Sequence, residues 1–272
     1  MSSSRNGSRQ ASGVGVQPNV QRRERIREQV LATGFARIEN LAEEFSVSVM
    51  TIHRDLDVLA EQGWLRKIRG GATAHPSALL DTSARSRLSA MVAEKQQIAR
   101  AALGHVSRGQ TVIIDDSTTA LQLAQLLPAQ GPMTVISNYL AVVNALAGEA
   151  GIELIALGGA YYPAYDAFLG LQTREAIRPL RADVLFMSTT AISDGSCFHK
   201  SQDTIMIKRA LMEAAERRVL LLDHTKLGKR ALRQLAPLTA FDIVIVDAAI
   251  GPEDLAELRG WGVPVEVAPP TP

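Results

Sequence analysis

The chain has 272 residues, of which 46% are apolar and 21% charged, and its length and composition indicate a globular protein of one or two domains. A single cysteine, Cys197, excludes an internal disulfide framework, and the apolar runs are too short to span a bilayer. No secretory signal is evident after Met1, so a cytoplasmic protein without membrane contact is expected.

The amino-terminal part of the chain is the more basic one. Residues 1–75 hold 11 Arg and Lys against 8 Asp and Glu, and the remainder holds 18 against 20. The net charge of +1 is thus divided into +3 and −2, which mildly favours an anionic partner for the amino-terminal part.

Residues 1–19 are rich in Ser, Gly and Arg and are predicted to form a flexible tail. Helical spacing of apolar residues then predicts a helix that ends at Gly34 and a short helix over residues 38–45. A third helix, ended by Gly63, carries one buried stripe: Ile52, Leu56 and Leu59.

The stretch "WLRKIRGGATA" follows with alternating polar and apolar residues and a Gly pair, which predicts a two-stranded wing. Residues 20–75 are therefore predicted to form a winged helix-turn-helix, and residues 76–90, around Pro76, a linker. A long helix is predicted from Arg87 to Val106.

Six apolar runs separated by helical segments follow and predict an α/β domain with a mainly parallel sheet. This larger domain is assigned to residues 91–250, followed by a carboxy-terminal extension over 251–272. The strands are expected at residues 111–115, 133–137, 152–157, 183–188, 218–223 and 242–247.

The third helix is the candidate recognition helix, because its polar side chains are short or cationic and suit the major groove of DNA. Basic residues of the wing would add phosphate contacts. Spacing alone leaves open that the module is a protein–protein contact with a solvated charged face. The candidate DNA-binding residues are Ser48, Thr51, His53, Arg54, Arg66, Lys67 and Arg69.

Residues 22–72 resemble the winged helix-turn-helix of the DeoR family of bacterial transcription regulators. The resemblance is carried by "RRERI", "LAEEFSVS", "MTIHRDLDVLAEQGWL" and "RGGA", in step over about fifty residues. The sequence departs from the family where His53 replaces the usual Arg beside Arg54. A neutral His lacks the bidentate fork of a guanidinium, so this position bears on operator preference.

Polar loops follow several strands of the larger domain, at the edge of the sheet where ligands of α/β folds bind. A helix start rich in hydroxyls suits an anion, although Ser117 or Thr118 also has a simpler interpretation as a helix cap. The candidate effector-binding residues are Asp115, Asp116, Ser117, Thr118, Thr119, Ser137, Asn138, Gly158, Gly159 and Lys226.

These loops also resemble the DeoR sensor domain, which is related to ribose 5-phosphate isomerase and coenzyme A transferase folds. The resemblance covers roughly residues 90–250 through "DDSTT", "ISN", "LGG", "AFLG", "IKRAL" and "DHTKLGK". It implies a phosphorylated sugar or related effector at the motif positions Asp115, Thr118, Thr119, Asn138, Gly159 and Lys226. The loop "STTAISDGSCFHKSQDT" departs from the family pattern, which points to an atypical effector.

No cofactor or metal is expected, because Cys197 and His199 lack the further ligands that a zinc site needs. The resemblance implies a DNA-binding regulator, by family habit a repressor of carbohydrate genes, that acts as a homo-oligomer. The alternative is an isomerase-like enzyme with a fused DNA-binding domain, for which Asp115, Asp116 and Asp194 are candidate bases.

Overall fold

A computed structural model describes residues 18–33, 35–61, 65–74 and 84–270. The chain folds as two units, divided between Leu80 and Asp81. Among the described residues, no helix has the length and apolar character needed to cross a membrane. The predicted tail lies outside the described residues up to position 17, and Pro18 and Asn19 already belong to the first helix.

The first unit contains three helices and one small sheet. The sheet is antiparallel with the strand order β1-β3-β2, so the predicted two-stranded wing has a third strand supplied by the segment before α2. The predicted helix ends at Gly34 and Gly63 lie outside the described residues. The elements are α1 (Pro18–Thr33), β1 (Phe35–Arg37), α2 (Ile38–Glu44), α3 (Val49–Glu61), β2 (Leu65–Ile68) and β3 (Gly71–Ala74).

The second unit is built on a seven-stranded sheet in the order β15-β14-β12-β9-β4-β5-β6, and all six strand pairs are parallel. The sequence prediction of an α/β fold is thus confirmed. The central strands are buried on both faces, which is why their sequences are near-continuous apolar runs. The strands are β4 (Thr111–Ile114), β5 (Met133–Ser137), β6 (Ile152–Ala156), β9 (Ala182–Met187), β12 (Ala215–Leu222), β14 (Ile243–Val246) and β15 (Val265–Val267).

Strand β15 pairs with β14 at the edge of the sheet, so the predicted carboxy-terminal extension is an integral part of the fold. Two smaller antiparallel sheets, β7-β8 and β10-β11-β13, also lay outside the sequence prediction. Their strands are β7 (Ala160–Tyr162), β8 (Ala167–Leu169), β10 (Ala191–Ser193), β11 (Ser196–His199) and β13 (Arg233–Pro237).

The predicted long helix from Arg87 to Val106 is instead two helices. Met91, with a left-handed φ of 53°, stands between them and turns the chain. The first of the two lies within the predicted linker. The helices of this unit are α4 (Ala84–Ser89), α5 (Val92–Leu103), α6 (Thr118–Ala124), α7 (Leu140–Leu146), α8 (Leu171–Ile177), α9 (Gln202–Ala214) and α10 (Pro252–Gly260).

The strand order has one reversal point. From β4 the chain proceeds outward through β5 and β6, and it then returns to lay β9 on the other side of β4 before continuing to β12, β14 and β15. The loops after β4 and β9 therefore diverge, and a crevice opens between them at the carboxyl ends of the strands. In open α/β sheets this is the place where ligands bind.

Candidate functional site

Helix α3 has one buried face and one open face, as the sequence predicts. Ile52 and Leu56 are fully buried and Leu59 is 3% exposed. On the other side Arg54 is exposed and His53 half-buried, and Met50, which the sequence analysis did not single out, is 62% exposed. Met50 precedes Arg54 by one helical turn, so the two share a face near the start of the helix.

Two of the predicted DNA contacts also hold the start of α3 together. The Ser48 hydroxyl oxygen accepts a hydrogen bond from the Thr51 backbone N–H at 3.1 Å, as a helix cap does, and lies 2.9 Å from the Thr51 hydroxyl. Ser48 is exposed and Thr51 half-buried. Both side chains thus have a structural function, and their contact with DNA stays a prediction.

Asp55 has a function that the sequence analysis missed. This acidic residue follows Arg54 directly on α3 and is only 2% exposed. Its two carboxylate oxygens accept hydrogen bonds from Arg22 Nε at 2.6 Å and Arg23 Nε at 2.8 Å. Asp55 therefore fastens α1 to α3, which accounts for two of the arginines in the "RRERI" motif.

The wing turns at Gly70, whose φ of +77° favours glycine. At Gly71 any side chain is excluded, since an added Cβ would lie 2.5 Å from the carbonyl oxygen of Ala36. The predicted wing cations differ in availability. Arg66 and Arg69 are exposed, whereas Lys67 Nζ donates a hydrogen bond to Asp57 Oδ1 at 2.6 Å.

The second unit contains a pocket of about 210 Å³ at the reversal point of its sheet. Its walls come from the loops after β4, β9 and β12, from β11 and α9, and from the α4–α5 segment. The residues of these loops and of the first turn of α6 that line it are Asp116, Ser117, Thr118, Thr119, Ser188, Thr189, Thr190, Asp223, Thr225, Lys226 and Lys229. The other lining residues are Ser86, Arg87, Ala90, Met91, Lys95, His199, Lys200 and Lys208.

Cations outnumber carboxylates in this pocket. Six basic side chains line it against the two acidic ones, Asp116 and Asp223. Among the described residues, the Nε and one terminal nitrogen of Arg87 are buried without a hydrogen-bond acceptor, while the guanidinium lies 5.9 Å from the ring centre of Tyr165. Buried donors that lack an acceptor are costly, so the pocket is suited to an anion.

Lys95 connects the pocket wall to α4. Its Nζ donates hydrogen bonds to the carbonyl oxygen of Arg87 and, at 2.7 Å, to that of Ala90. Burial lowers the pKa of Lys95 to about 8, assisted by the cations of Lys226 and Arg87 and opposed by Asp223. Burial likewise lowers the pKa of Lys226, whose Nζ lies 3.7 Å from Asp223 Oδ2.

Asp115 lies beneath the pocket rather than in its wall. It is fully buried and binds Lys208 through Oδ2, and its oxygens also accept hydrogen bonds from the backbone N–H groups of Ser117 and Ser188, each at 3.0 Å. The residue thus ties the loop after β4 to the loop after β9. Asp115 is thus engaged within the protein, and its contact with an effector stays a prediction.

Lys208 bridges Asp115 and its neighbour, with Nζ 2.9 Å from Asp116 Oδ1. Burial acts to raise the pKa of Asp116, but the charge and the hydrogen bond of Lys208, together with other nearby cations such as Arg87, lower that pKa. Burial acts to lower the pKa of Lys208, and the two carboxylates outweigh it and raise that pKa. Lys208 therefore stays a cation and Asp116 a carboxylate at neutral pH.

Other predicted effector residues are divided between the pocket and its surroundings. Thr118, Thr119 and Lys226 line the pocket. Ser117 also lines it, but its Oγ accepts a hydrogen bond from Ala120 N at 3.1 Å and caps α6, which is the simpler interpretation that the sequence left open.

Four predicted effector residues lie away from this pocket. They lie in the loops after β5 and β6, on the other side of β4 from β9, and none of them lines the pocket. There Ser137 accepts a hydrogen bond from Tyr139 N at 3.1 Å, and Asn138 donates one to the carbonyl oxygen of Phe168 at 3.0 Å. Gly158 and Gly159 pack against Thr173, where an added Cβ on Gly159 would lie 2.1 Å from the hydroxyl oxygen.

The chain matches two family descriptions that together cover most of its length. Residues 22–78 match the DeoR-like helix-turn-helix domain, and residues 90–248 match the DeoR C terminal sensor domain. The chain belongs to the DeoR family. The resemblance of both domains to the DeoR family is thereby confirmed. The protein is a DNA-binding transcriptional regulator.

Curated relatives of this DeoR-family chain are regulators. The glycerol-3-phosphate regulon repressor of Escherichia coli is 33% identical over 84% of this chain and 90% of that protein. The L-fucose operon activator of Haemophilus influenzae is 32% identical over 86% and 94%, and the repressor AccR of Agrobacterium fabrum 32% over 79% and 84%. These relatives favour a regulator over the isomerase-like enzyme.

Solved structures similar to this DeoR-family chain are distant. The eIF2B beta subunit of Chaetomium thermophilum has a TM-score of 0.42 at 16% identity, over 82% of this chain and 70% of that one. Ribose 5-phosphate isomerase A of Methanocaldococcus jannaschii has a TM-score of 0.36 at 14% identity, over 50% and 54%. At these scores neither likeness bears on function.

Proposed function

We propose that this regulator is a repressor of carbohydrate genes in the cytoplasm whose operator affinity is lowered by a phosphorylated sugar or related metabolite. The observation that carries the effector class is the cationic pocket, above all the buried and unpaired nitrogens of Arg87. A phosphate dianion supplies acceptors for three basic side chains of that pocket: Arg87, Lys95 and Lys226.

Other residues of the same pocket suit the sugar part of the effector. Asp116 is a carboxylate that accepts hydrogen bonds, and hydroxyl-bearing side chains line the pocket with it: Thr118, Thr119, Ser188, Thr189 and Thr190. Hydroxyls and carboxylates pair with sugar hydroxyls because a hydroxyl both donates and accepts. The combination of cations and hydroxyl groups in one pocket favours a polyhydroxylated monoanion or dianion over a purely apolar ligand.

The DNA-binding surface is proposed to consist of α3 and the wing. His53 and Arg54, together with the capping residues Ser48 and Thr51, are directed to the major groove, and Arg66, Lys67 and Arg69 to phosphates. Coupling follows if effector and operator favour different states of the protein, because each ligand then lowers the affinity for the other.

A duplex operator selected from a random library tests both parts by fluorescence anisotropy. Arg54→Ala is expected to weaken operator binding at least 10-fold. Calorimetry is expected to show that this variant still binds glucose 6-phosphate, the probe for the proposed effector class. Arg87→Met and Lys226→Ala are expected to bind operator as the wild type does and to lose the response to phosphorylated sugars. An operator affinity that no bound phosphorylated sugar alters would overturn the proposal.

The active form is proposed to be a homo-oligomer, since paired half-sites match a two-fold symmetric protein. Exposed apolar side chains in the second unit support this, notably Tyr161 at 45% and Leu171 at 67%. Light scattering with the selected operator is expected to give two or more chains per duplex. A single chain bound to one half-site would contradict the oligomer.

A further inference from the structure

His199 is a buried residue of the pocket and has no part in the proposed phosphate contacts. It is the last residue of β11, lines the pocket and is only 4% exposed. Its Nδ1 accepts a hydrogen bond from Ser201 N at 3.1 Å. A neutral ring with an accepting Nδ1 carries its proton on Nε2, and Nε2 has no hydrogen-bond partner among the described residues.

The ring stays neutral because its surroundings disfavour a charge. Burial lowers the pKa of His199 to about 3, the cations of Lys208 and Arg87 act in the same direction, and Asp116 opposes them. At neutral pH His199 therefore offers the pocket one uncharged N–H donor. An uncharged donor contributes little to binding a phosphate compared with the cations of the pocket.

Asp116 complements this donor. Its Oδ1 lies 2.9 Å from Lys208, and its Oδ2 has no hydrogen-bond partner among the described residues. Asp116 and His199 are close enough for each charge to affect the pKa of the other. A ligand hydroxyl can accept from an N–H and donate to a carboxylate at the same time.

A metal-binding function does not explain His199. The described residues contain no group of three His, Cys, Asp or Glu side chains that could hold a metal ion. Burial raises the pKa of the neighbouring Cys197 to about 12, so that residue is a thiol rather than a thiolate ligand.

We propose that His199 determines specificity for a hydroxylated ligand, by donating its Nε2 proton to one hydroxyl of the effector whose own proton is donated to Asp116. This assignment rests on the proposed function, which supplies the phosphate end at Arg87, Lys95 and Lys226. It predicts that discrimination between phosphorylated sugars and plain phosphate depends on His199, while phosphate affinity itself does not.

Two variants separate the donor from the structural bond to Ser201. His199→Asn keeps a polar atom near the position of Nδ1, where it can accept from Ser201 N, but removes the donor at Nε2. His199→Gln extends an amide N–H toward the position of Nε2. His105→Phe is a control away from the pocket lining, where the ring bonds Glu266 and Arg217 instead. Thermal unfolding of each full-length variant checks that it is folded.

The probes are inorganic phosphate, glycerol 3-phosphate, ribose 5-phosphate and glucose 6-phosphate, titrated by calorimetry. For the sugar phosphate that binds the wild type best, His199→Asn is expected to lower affinity about 10-fold, with His199→Gln within about threefold of wild type. Inorganic phosphate is expected to bind all forms within about twofold, since its proposed contacts are the cations Arg87, Lys95 and Lys226.

Three results would overturn the assignment. If His199→Asn binds the sugar phosphate as tightly as the wild type, or loses inorganic phosphate equally, His199 does not select the hydroxyl and the proposed function still stands. If the wild type binds none of the phosphorylated probes more tightly than inorganic phosphate, the effector class itself is wrong, and the assignment of His199 is lost with it.

Discussion

Lys95 shows how a single buried residue links the proposed ligand to pH. Two of its three N–H groups donate to the carbonyls of Arg87 and Ala90, which leaves one for a ligand in the pocket. With a pKa lowered to about 8, the group is a cation below that pH and neutral above it. A bound phosphate would favour the cation, so ligand binding and protonation of Lys95 are linked with the same sign.

The affinity for glucose 6-phosphate, or for whichever phosphorylated sugar binds best, is expected to be highest at pH 7. It should fall about 10-fold as the pH rises through about 8 to 9.5, because one charged hydrogen bond is lost. The phosphate itself does not titrate in this range, since its second pKa is about 6. Calorimetry at several pH values measures the effect.

Lys95→Met is the control for this pH dependence. The variant is expected to bind more weakly than the wild type at pH 7 and with nearly constant affinity from pH 7 to 9.5. If it keeps the whole pH dependence, the titrating group is another residue, for which Lys226 is the first candidate because burial also lowers its pKa.

At the scale of elements, the wing contains cations of unequal availability although the sequence treats them alike. Arg66 and Lys67 are neighbours on β2, but Lys67 already pairs with Asp57 on α3 and Arg66 is exposed. A cation that is paired within the protein releases fewer counterions from DNA, because binding must first compete with the internal partner.

Arg66→Ala is therefore expected to reduce the magnitude of the salt slope of operator binding by about 0.9, the value of one phosphate contact. Lys67→Ala, the matched change next to it, should reduce the slope by less. Anisotropy titrations from about 50 to about 300 mM salt, in steps of about 50 mM, measure both slopes. A larger effect at Lys67 would mean that its bond to Asp57 opens on DNA.

Elements with a strong apolar pattern were predictable from the sequence, and those whose stability depends on distant partners were not. The central strands were found because both their faces are buried. Strand β15 was missed because its residues are only half-buried at the sheet edge, and β11 because its pairing with β13 joins segments more than thirty residues apart.

The candidate site was likewise predictable in part from the sequence. Loop residues after β4 were identified because the carboxyl ends of parallel strands are known ligand positions. Arg87 and Lys208 were not, because they reach the pocket from helices, and Lys208 binds a carboxylate 93 residues away in sequence. The predicted residues after β5 and β6 do not line this pocket, which the sequence could not indicate because strand order across the sheet is not evident from chain order.

For the whole molecule, the division into two units predicts two unfolding transitions that respond to different changes. Asp55 belongs to the first unit, where it is buried between Arg22 and Arg23. Asp55→Asn removes the charge that both arginines require and is expected to cost about 2 kcal/mol of stability. In a unit of this size that lowers the midpoint of unfolding by roughly 10 °C.

Calorimetry of the full-length protein should show this decrease in one transition only, while a saturating phosphorylated sugar raises the other transition only, by mass action. Asp57→Asn is the matched control, since its partner Lys67 is partly exposed and such pairs contribute about 0 to 1 kcal/mol. A single transition that moves with both changes would contradict independent units. It would instead mean that the DNA-binding unit unfolds only together with the sensor, so that an effector could control operator binding through stability alone.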